Sequence, residues 1–258
     1  MVITDRQIEH GFWNWDKSTD FPPDSVKLTD ELKGGLRLNI ACTQQLELKP
    51  TEQIRLVKSW VSFLPTCDNL EFLWFTTHTT QELFDSACKL DNLVGLYIKW
   101  SSIKSLDQIT NLKNLKYLRI GSSAKIENIE ALGQMTNLEV LEIENFKKIS
   151  DFSTLKNLTK LKFLTIEGGM YTKQKVDSFE PISSLTKLIF LSSVMVSCSD
   201  KKIDPILKLK NLIALNWPYD LSPKDMDRLK RELPSLKYLP HRYFEENMAN
   251  LMLLGFLA

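Results

Sequence analysis

The chain has little of what catalysis, metal binding or membrane crossing requires. Three histidines, His10, His78 and His241, and four cysteines, Cys42, Cys67, Cys88 and Cys198, are scattered through 258 residues. No CxxC pair or Cys/His cluster occurs, which argues against zinc. Four widely spaced thiols in a long, leucine-supplied chain read as buried or half-buried side chains in a reducing compartment, not as a disulfide framework. The GxSxG, HExxH, GxxxxGKS/T and GxGxxG patterns of common enzyme sites are all missing. No apolar run reaches the roughly 18 residues of a membrane-spanning helix. Met1 to His10 carries charges where a secretory signal needs an apolar stretch. Neither sign of charge prevails: 33 Lys and Arg face 32 Asp and Glu, for a net charge of +1. Such a balance implies no nucleic-acid partner. These absences predict a monomeric cytoplasmic protein with no enzymatic activity, no cofactor and no metal.

What is present is a repeat. From residue 90 onward one phrase recurs, Leu-x-x-Leu-x-x-Leu-x-Ile. It opens at Leu90, Leu93, Leu96 and Ile98 and returns at Leu112, Leu115, Leu118 and Ile120. Further copies begin at Met135, Leu158, Leu185, Leu209 and Leu233, and an earlier copy begins at Cys67. A second phrase lies between copies, as in Ile103, Leu106 and Ile109, or Ile126, Ile129 and Leu132. In the Leu-x-Ile step alternate residues face one side of a short strand. The i, i+3 steps that follow suit a tight 3₁₀ or irregular return. One such unit cannot cover its own apolar face, whereas stacked copies bury it and pair their strands in parallel.

On these residues the sequence resembles the leucine-rich-repeat proteins, and its units of 22 to 23 residues look most like the bacterial internalin-type subclass. The resemblance implies an α/β solenoid: a curved parallel sheet on the concave face, short helices and 3₁₀ turns on the convex face, and a cap at each end. The family places an asparagine eight residues after the second framework leucine. Here that place holds Ser101, Ser123, Phe146, Gly169 and Val196, so the turn must satisfy its backbone by other means.

The expected organisation is one continuous structural domain: an N-terminal cap over 1–66 with one helix-bearing coil, about eight repeats over 67–239, and a C-terminal cap helix over 240–258. Leu36 to Ile40 alternates like a strand. Pro50 opens a helix through about Phe63, with Ile54, Val57, Val61 and Leu64 on its apolar face. The cap is aromatic, with Phe12, Trp13 and Trp15, and its tryptophans read as cap core in preference to a ligand box. Thr80 to Lys89 predicts a helical return. So does the segment after Ser222 and Pro223, whose Met226, Leu229 and Leu233 share a face. The apolar tail from Leu251 to Leu257 either packs on the last coil or serves as a docking segment.

The informative surface is the strand face turned away from the core. One column runs Phe72, Gly95, Tyr117, Val140, Phe163, Phe190, Ala214 and Tyr238; a second runs Trp74, Tyr97, Arg119, Glu142, Thr165, Ser192, Asn216 and Pro240; a third holds Lys99, Glu144 and Glu167. Aromatic and arginine side chains are the usual anchors of protein interfaces. The candidate partner-binding residues are therefore Phe72, Trp74, Tyr97, Lys99, Tyr117, Arg119 and Phe163, with an acidic shoulder at Glu142, Glu144 and Glu167. The alternative is that the aromatics pack on one another along the sheet. The function expected is a non-catalytic scaffold for a protein partner of unknown identity. A secreted or surface internalin-like ligand, or the recognition subunit of an enzyme complex, are the competing readings.

Overall fold

A computed structural model describes residues 3–15, 22–32, 34–219 and 221–239. The expected cap helix over 240–258, with Pro240 and the apolar tail, lies outside the described residues.

The repeat folds as its spacing requires. Among the described residues nine strands form one parallel sheet: β1 (Ser25–Val26), β2 (Arg37–Ile40), β3 (Phe72–Thr79), β4 (Gly95–Ser101), β5 (Tyr117–Ile120), β6 (Val140–Glu144), β7 (Phe163–Glu167), β9 (Phe190–Ser192) and β11 (Ala214–Asn216), neighbours in that order. The short strands β8 (Gln174–Val176) and β10 (Val196–Cys198) pair separately. Each strand returns through a compact segment. The middle coils use 3₁₀ turns at Asp107–Asn111, Leu132–Gln134, Ser153–Asn157 and Glu180–Ser184. Framework leucines such as Leu96, Leu118, Leu141 and Leu164 are fully buried in one apolar cluster that runs through the stack.

The helical coils sit toward the two ends of the chain. Helix α2 (Pro50–Phe63) begins at its proline as expected. It buries Leu56 and Trp60, with Leu64 just past its end, and packs Val57 and Val61 part-buried against the core; of the expected face only Ile54 stands exposed. The i, i+4, i+8 line of 56, 60 and 64 lies deepest because it brings in the largest apolar side chain, Trp60, whose indole N–H donates to the Lys27 carbonyl at 2.6 Å. Helix α3 (Gln81–Ala87) is capped by Thr80, whose hydroxyl accepts from the Leu83 amide. Helix α4 (Asp204–Leu207) is a single turn. Helix α5 (Pro223–Glu232) is capped by Ser222 and buries Leu229 and Leu233.

The turn after each strand satisfies its backbone with a mixed set of side chains. Ser101 and Ser123 share a buried hydroxyl bond of 2.6 Å, and the Ser123 hydroxyl donates to the Gly121 carbonyl. Farther along, the buried Gln174 amide donates to the Ile149 and Phe146 carbonyls at 2.7 and 3.2 Å. An asparagine ladder does exist, at a different place in the repeat. Asn92, Asn114, Asn137 and Asn211, each just before a framework leucine, donate to carbonyls one coil earlier: those of Asp68, Asp91, Lys113 and Thr186.

Candidate functional site

Parallel pairing without a register shift over β4–β7, β9 and β11 fixes the columns of the outer sheet face. Phe72, Gly95, Tyr117, Val140, Phe163, Phe190 and Ala214 stand directly opposite one another on successive strands, and a bridge to Tyr238 extends the line. Trp74, Tyr97, Arg119, Glu142, Thr165, Ser192 and Asn216 form the next line in the same way. Gly95 has a specific part in this surface. A methyl group there would meet Phe72 Cδ1 at 2.4 Å. Its absence lets the Phe72 ring lean across β4, stacking on Trp74 at 5.8 Å and on Tyr117 at 6.0 Å.

An ion-pair group adjoins the aromatics. Arg119 Nη1 donates to Glu142 Oε2 at 2.6 Å, Nη2 approaches Glu144 Oε2 at 3.4 Å, and the guanidinium lies 5.5 Å from the Tyr97 ring centre. Burial pushes the Glu142 carboxyl above the usual carboxylate range, opposed by the attraction of Arg119 and by the Trp13 and Phe12 amides. The Glu167 carboxyl is also pushed up by burial, although the Ser192 hydroxyl donates to it at 2.5 Å. Lys99 stands exposed at the rim.

The sheet face is not open to solvent, as its sequence columns suggested. Phe72, Trp74, Glu142 and Phe163 are buried, and Tyr97, Tyr117, Arg119, Glu144 and Glu167 are half-buried. The cover is the chain's own leading segment. Helix α1 (Asp5–His10) is closed by a capping box between Thr4 and Gln7. The buried Gln7 amide then donates to the Phe12 carbonyl at 2.7 Å. Gly11, at φ +98°, turns the chain back so that Phe12 and Trp13 reach the sheet. Phe12 stacks on Tyr117 at 4.6 Å and meets Phe163 edge-on at 5.8 Å, in a cluster with Val140, Phe190 and Ala214. Trp13 lies edge-on to Tyr97 at 5.3 Å and to Trp74 at 6.1 Å. Phe12, Trp13 and Trp15 thus pack on the outer sheet face and not at the end of the stack.

Sequence reasoning missed this contribution of Phe12 and Trp13. The usable signal was Thr4-Asp-Arg-Gln7, a helix start whose single short helix and Gly11 lead into Phe12-Trp-Asn-Trp15, three aromatics in four residues. Among the described residues no group of three or more His, Cys, Asp or Glu side chains is placed to hold a metal ion. All four thiols are free of disulfides, and burial pushes Cys42 up to about 12.

A parallel solenoid of this kind defines the class, and comparison with known proteins gives the family. The model of the leucine-rich repeat region matches residues 54–255, and the chain belongs to that family. In structure it is similar to internalin C2 of Listeria monocytogenes, with a TM-score of 0.50, 24% identity, and 68% of this chain and 71% of that one covered. It is also similar to the plant peptide hormone receptor RGFR1, solved in complex with RGF2, with a TM-score of 0.50, 20% identity, and 71% of this chain and 30% of that one covered. At these identities the likeness shows the fold. No curated protein matches the chain in sequence.

Proposed function

We propose that this protein is a non-catalytic scaffold that binds a protein partner through the concave strand face, at Phe72, Trp74, Tyr97, Tyr117, Phe163 and Arg119, with Lys99 and the acidic Glu142, Glu144 and Glu167 at its margins. One observation carries this reading: the in-register aromatic columns beside a desolvated Arg–Glu pair already accept an aromatic stretch of polypeptide. Large flat side chains and a buried guanidinium are the groups that dominate binding energy at protein interfaces. The plant peptide hormone receptor named above was solved in complex with RGF2, which is in keeping with a ligand-binding role for a scaffold of this fold.

The test is photocrosslinking from a benzoylphenylalanine placed at Tyr97 or Lys99 and, as control, at Lys156 on the 3₁₀ side of the same solenoid. A partner captured from the first two positions and not from the third supports the reading. Equal capture from position 156, or capture from there alone, sinks it.

A further inference from the structure

We propose that residues 3–15 are a resident pseudoligand: they hold the aromatic hollow in the manner of the true partner and must leave before that partner binds. The partner segment is thereby assigned a chemistry, that of a short turn presenting two consecutive aromatic side chains, with its amides toward Glu142 and a further polar group for Arg119. This rests on the reading of the sheet face as a partner site.

Three observations separate the segment from ordinary core. First, it adds no strand to the nine-stranded sheet. The bonds that shape it close within it: Gly11 N–H to the Gln7 carbonyl at 2.9 Å, Asn14 N–H to the Gly11 carbonyl at 3.2 Å, and Gln7 to Phe12. It is a preformed knot laid on the sheet. Second, its hold is an anchor pair, Phe12 among Tyr117, Phe163 and Phe190, and Trp13 against Trp74 and Tyr97, as at an interface between two proteins. Third, polar matching beneath it is incomplete. Trp13 Nε1, Arg119 Nε and Glu142 Oε1 are buried with no hydrogen-bond partner among the described residues. The amides of Phe12 and Trp13 favour the Glu142 charge, yet Oε1 is left without a hydrogen-bond partner. Buried polar atoms of a permanent core are nearly always paired. A partner that offers an acceptor to Arg119 Nε and a donor to Glu142 Oε1 gains what the resident segment forgoes, and so can displace it.

Displacement has to overcome tethering. A covalently attached segment competes at an effective concentration on the order of millimolar. The free site is therefore a minor state of the unaltered chain, and it becomes the main one when the resident anchors are weakened.

The experiment uses the full chain and a fluorescent synthetic peptide of residues 3–15. By anisotropy, the Phe12→Ala/Trp13→Ala chain should bind this peptide at least about tenfold more tightly than the unaltered chain does. Binding should vanish when the peptide carries serine at both aromatic positions. A folded double variant that ignores the peptide, or equal binding by both chains, overturns the proposal. Hydrogen exchange on the unaltered chain decides independently of whether the variant folds. The bonded Ile8 and Gly11 amides of the segment should exchange through a local opening, at least about tenfold faster than those of β6. Exchange only on global unfolding would make the segment structural and overturn the proposal. A dimer in sedimentation that trades segments between copies would also overturn it, with a second copy as the occupant. Partner crosslinking from Tyr97 without any opening of residues 3–15 would sink the pseudoligand and leave the binding role standing.

Discussion

Among the described residues, hydrophobic side chains gather on both sides of the same sheet. The inner region is aliphatic and repetitive: leucines and isoleucines at almost no exposure, each coil stacked on the last. The outer one is aromatic and irregular, built from Phe72, Trp74, Tyr117, Phe163 and Phe190 and closed by Phe12 and Trp13 from far away in the chain. The inner cluster is continuous with the backbone that makes the strands, so it cannot open without unfolding. The outer cluster is a contact between a finished surface and a segment that contributes no strand. Equal burial therefore describes a core in one region and an interface in the other.

Breaking the inner region should cost most. Leu141→Ala empties a fully buried site in the middle coil, and a loss of about 4 kcal/mol is expected, read from the midpoint of urea unfolding. A loss below about 2 kcal/mol would mean that neighbouring coils can collapse into the gap, contrary to a rigid stack. Next is Arg119→Met. It leaves the buried Glu142 carboxylate without its cation, and a loss of about 3 kcal/mol is expected near neutral pH. The loss should shrink in acid, where the carboxyl protonates. An unchanged midpoint would show that the pair is reached by solvent despite its cover.

The inner region was readable from sequence because its signal is periodic. Leu-x-x-Leu-x-x-Leu-x-Ile marks strand and return in every coil, and parallel stacking then fixes which residues share a column; Trp74, Tyr97, Arg119 and Glu142 could be aligned before any coordinate was known. What lies over that column was not readable. Residues 3–15 have no repeat partner, and packing between a unique segment and a repeated surface leaves no period to detect. The apolar face of α2 was only partly readable for a related reason. Val57, Val61 and Leu64 pack toward the core as expected, but Ile54 stands exposed while Leu56 and Trp60 are buried, and only the neighbouring coil decides how far the face turns. Gly95 was visible in its column, but its meaning, room for the Phe72 ring, depends on which way that ring leans.

Phe12→Ala sharpens the comparison most directly. Phenylalanine to alanine in a permanent core costs about 3 to 5 kcal/mol. A segment able to leave sets a ceiling, since no substitution within it can lose more than its whole docking free energy. A loss of about 2 kcal/mol or less is therefore expected, with a slightly smaller denaturant slope because residues 3–15 already lie exposed in the variant's native state. A loss as large as that of Leu141→Ala at an unchanged slope would erase the distinction between the two regions.

The smallest effect expected is that of pH on docking. On the sheet Arg119, Glu144 and Glu167 surround Glu142, and from the segment the Phe12 and Trp13 amides face it. Arg119 favours the charged carboxylate, but burial outweighs it and leaves the Glu142 pKa raised under the cover. With the segment gone, water reaches the carboxyl and that pKa falls back. The docked state therefore binds more protons, and docking weakens as pH rises. The contribution is fully present below the undocked pKa and is lost as pH climbs through the raised one, at no more than about 1.4 kcal/mol per pH unit for one proton. The affinity of the Phe12→Ala/Trp13→Ala chain for the peptide of residues 3–15, measured from about pH 5 to about pH 8, reads this slope. The opposite slope would mean that Arg119 holds Glu142 ionised even under the segment, and that the cover removes too little water to matter.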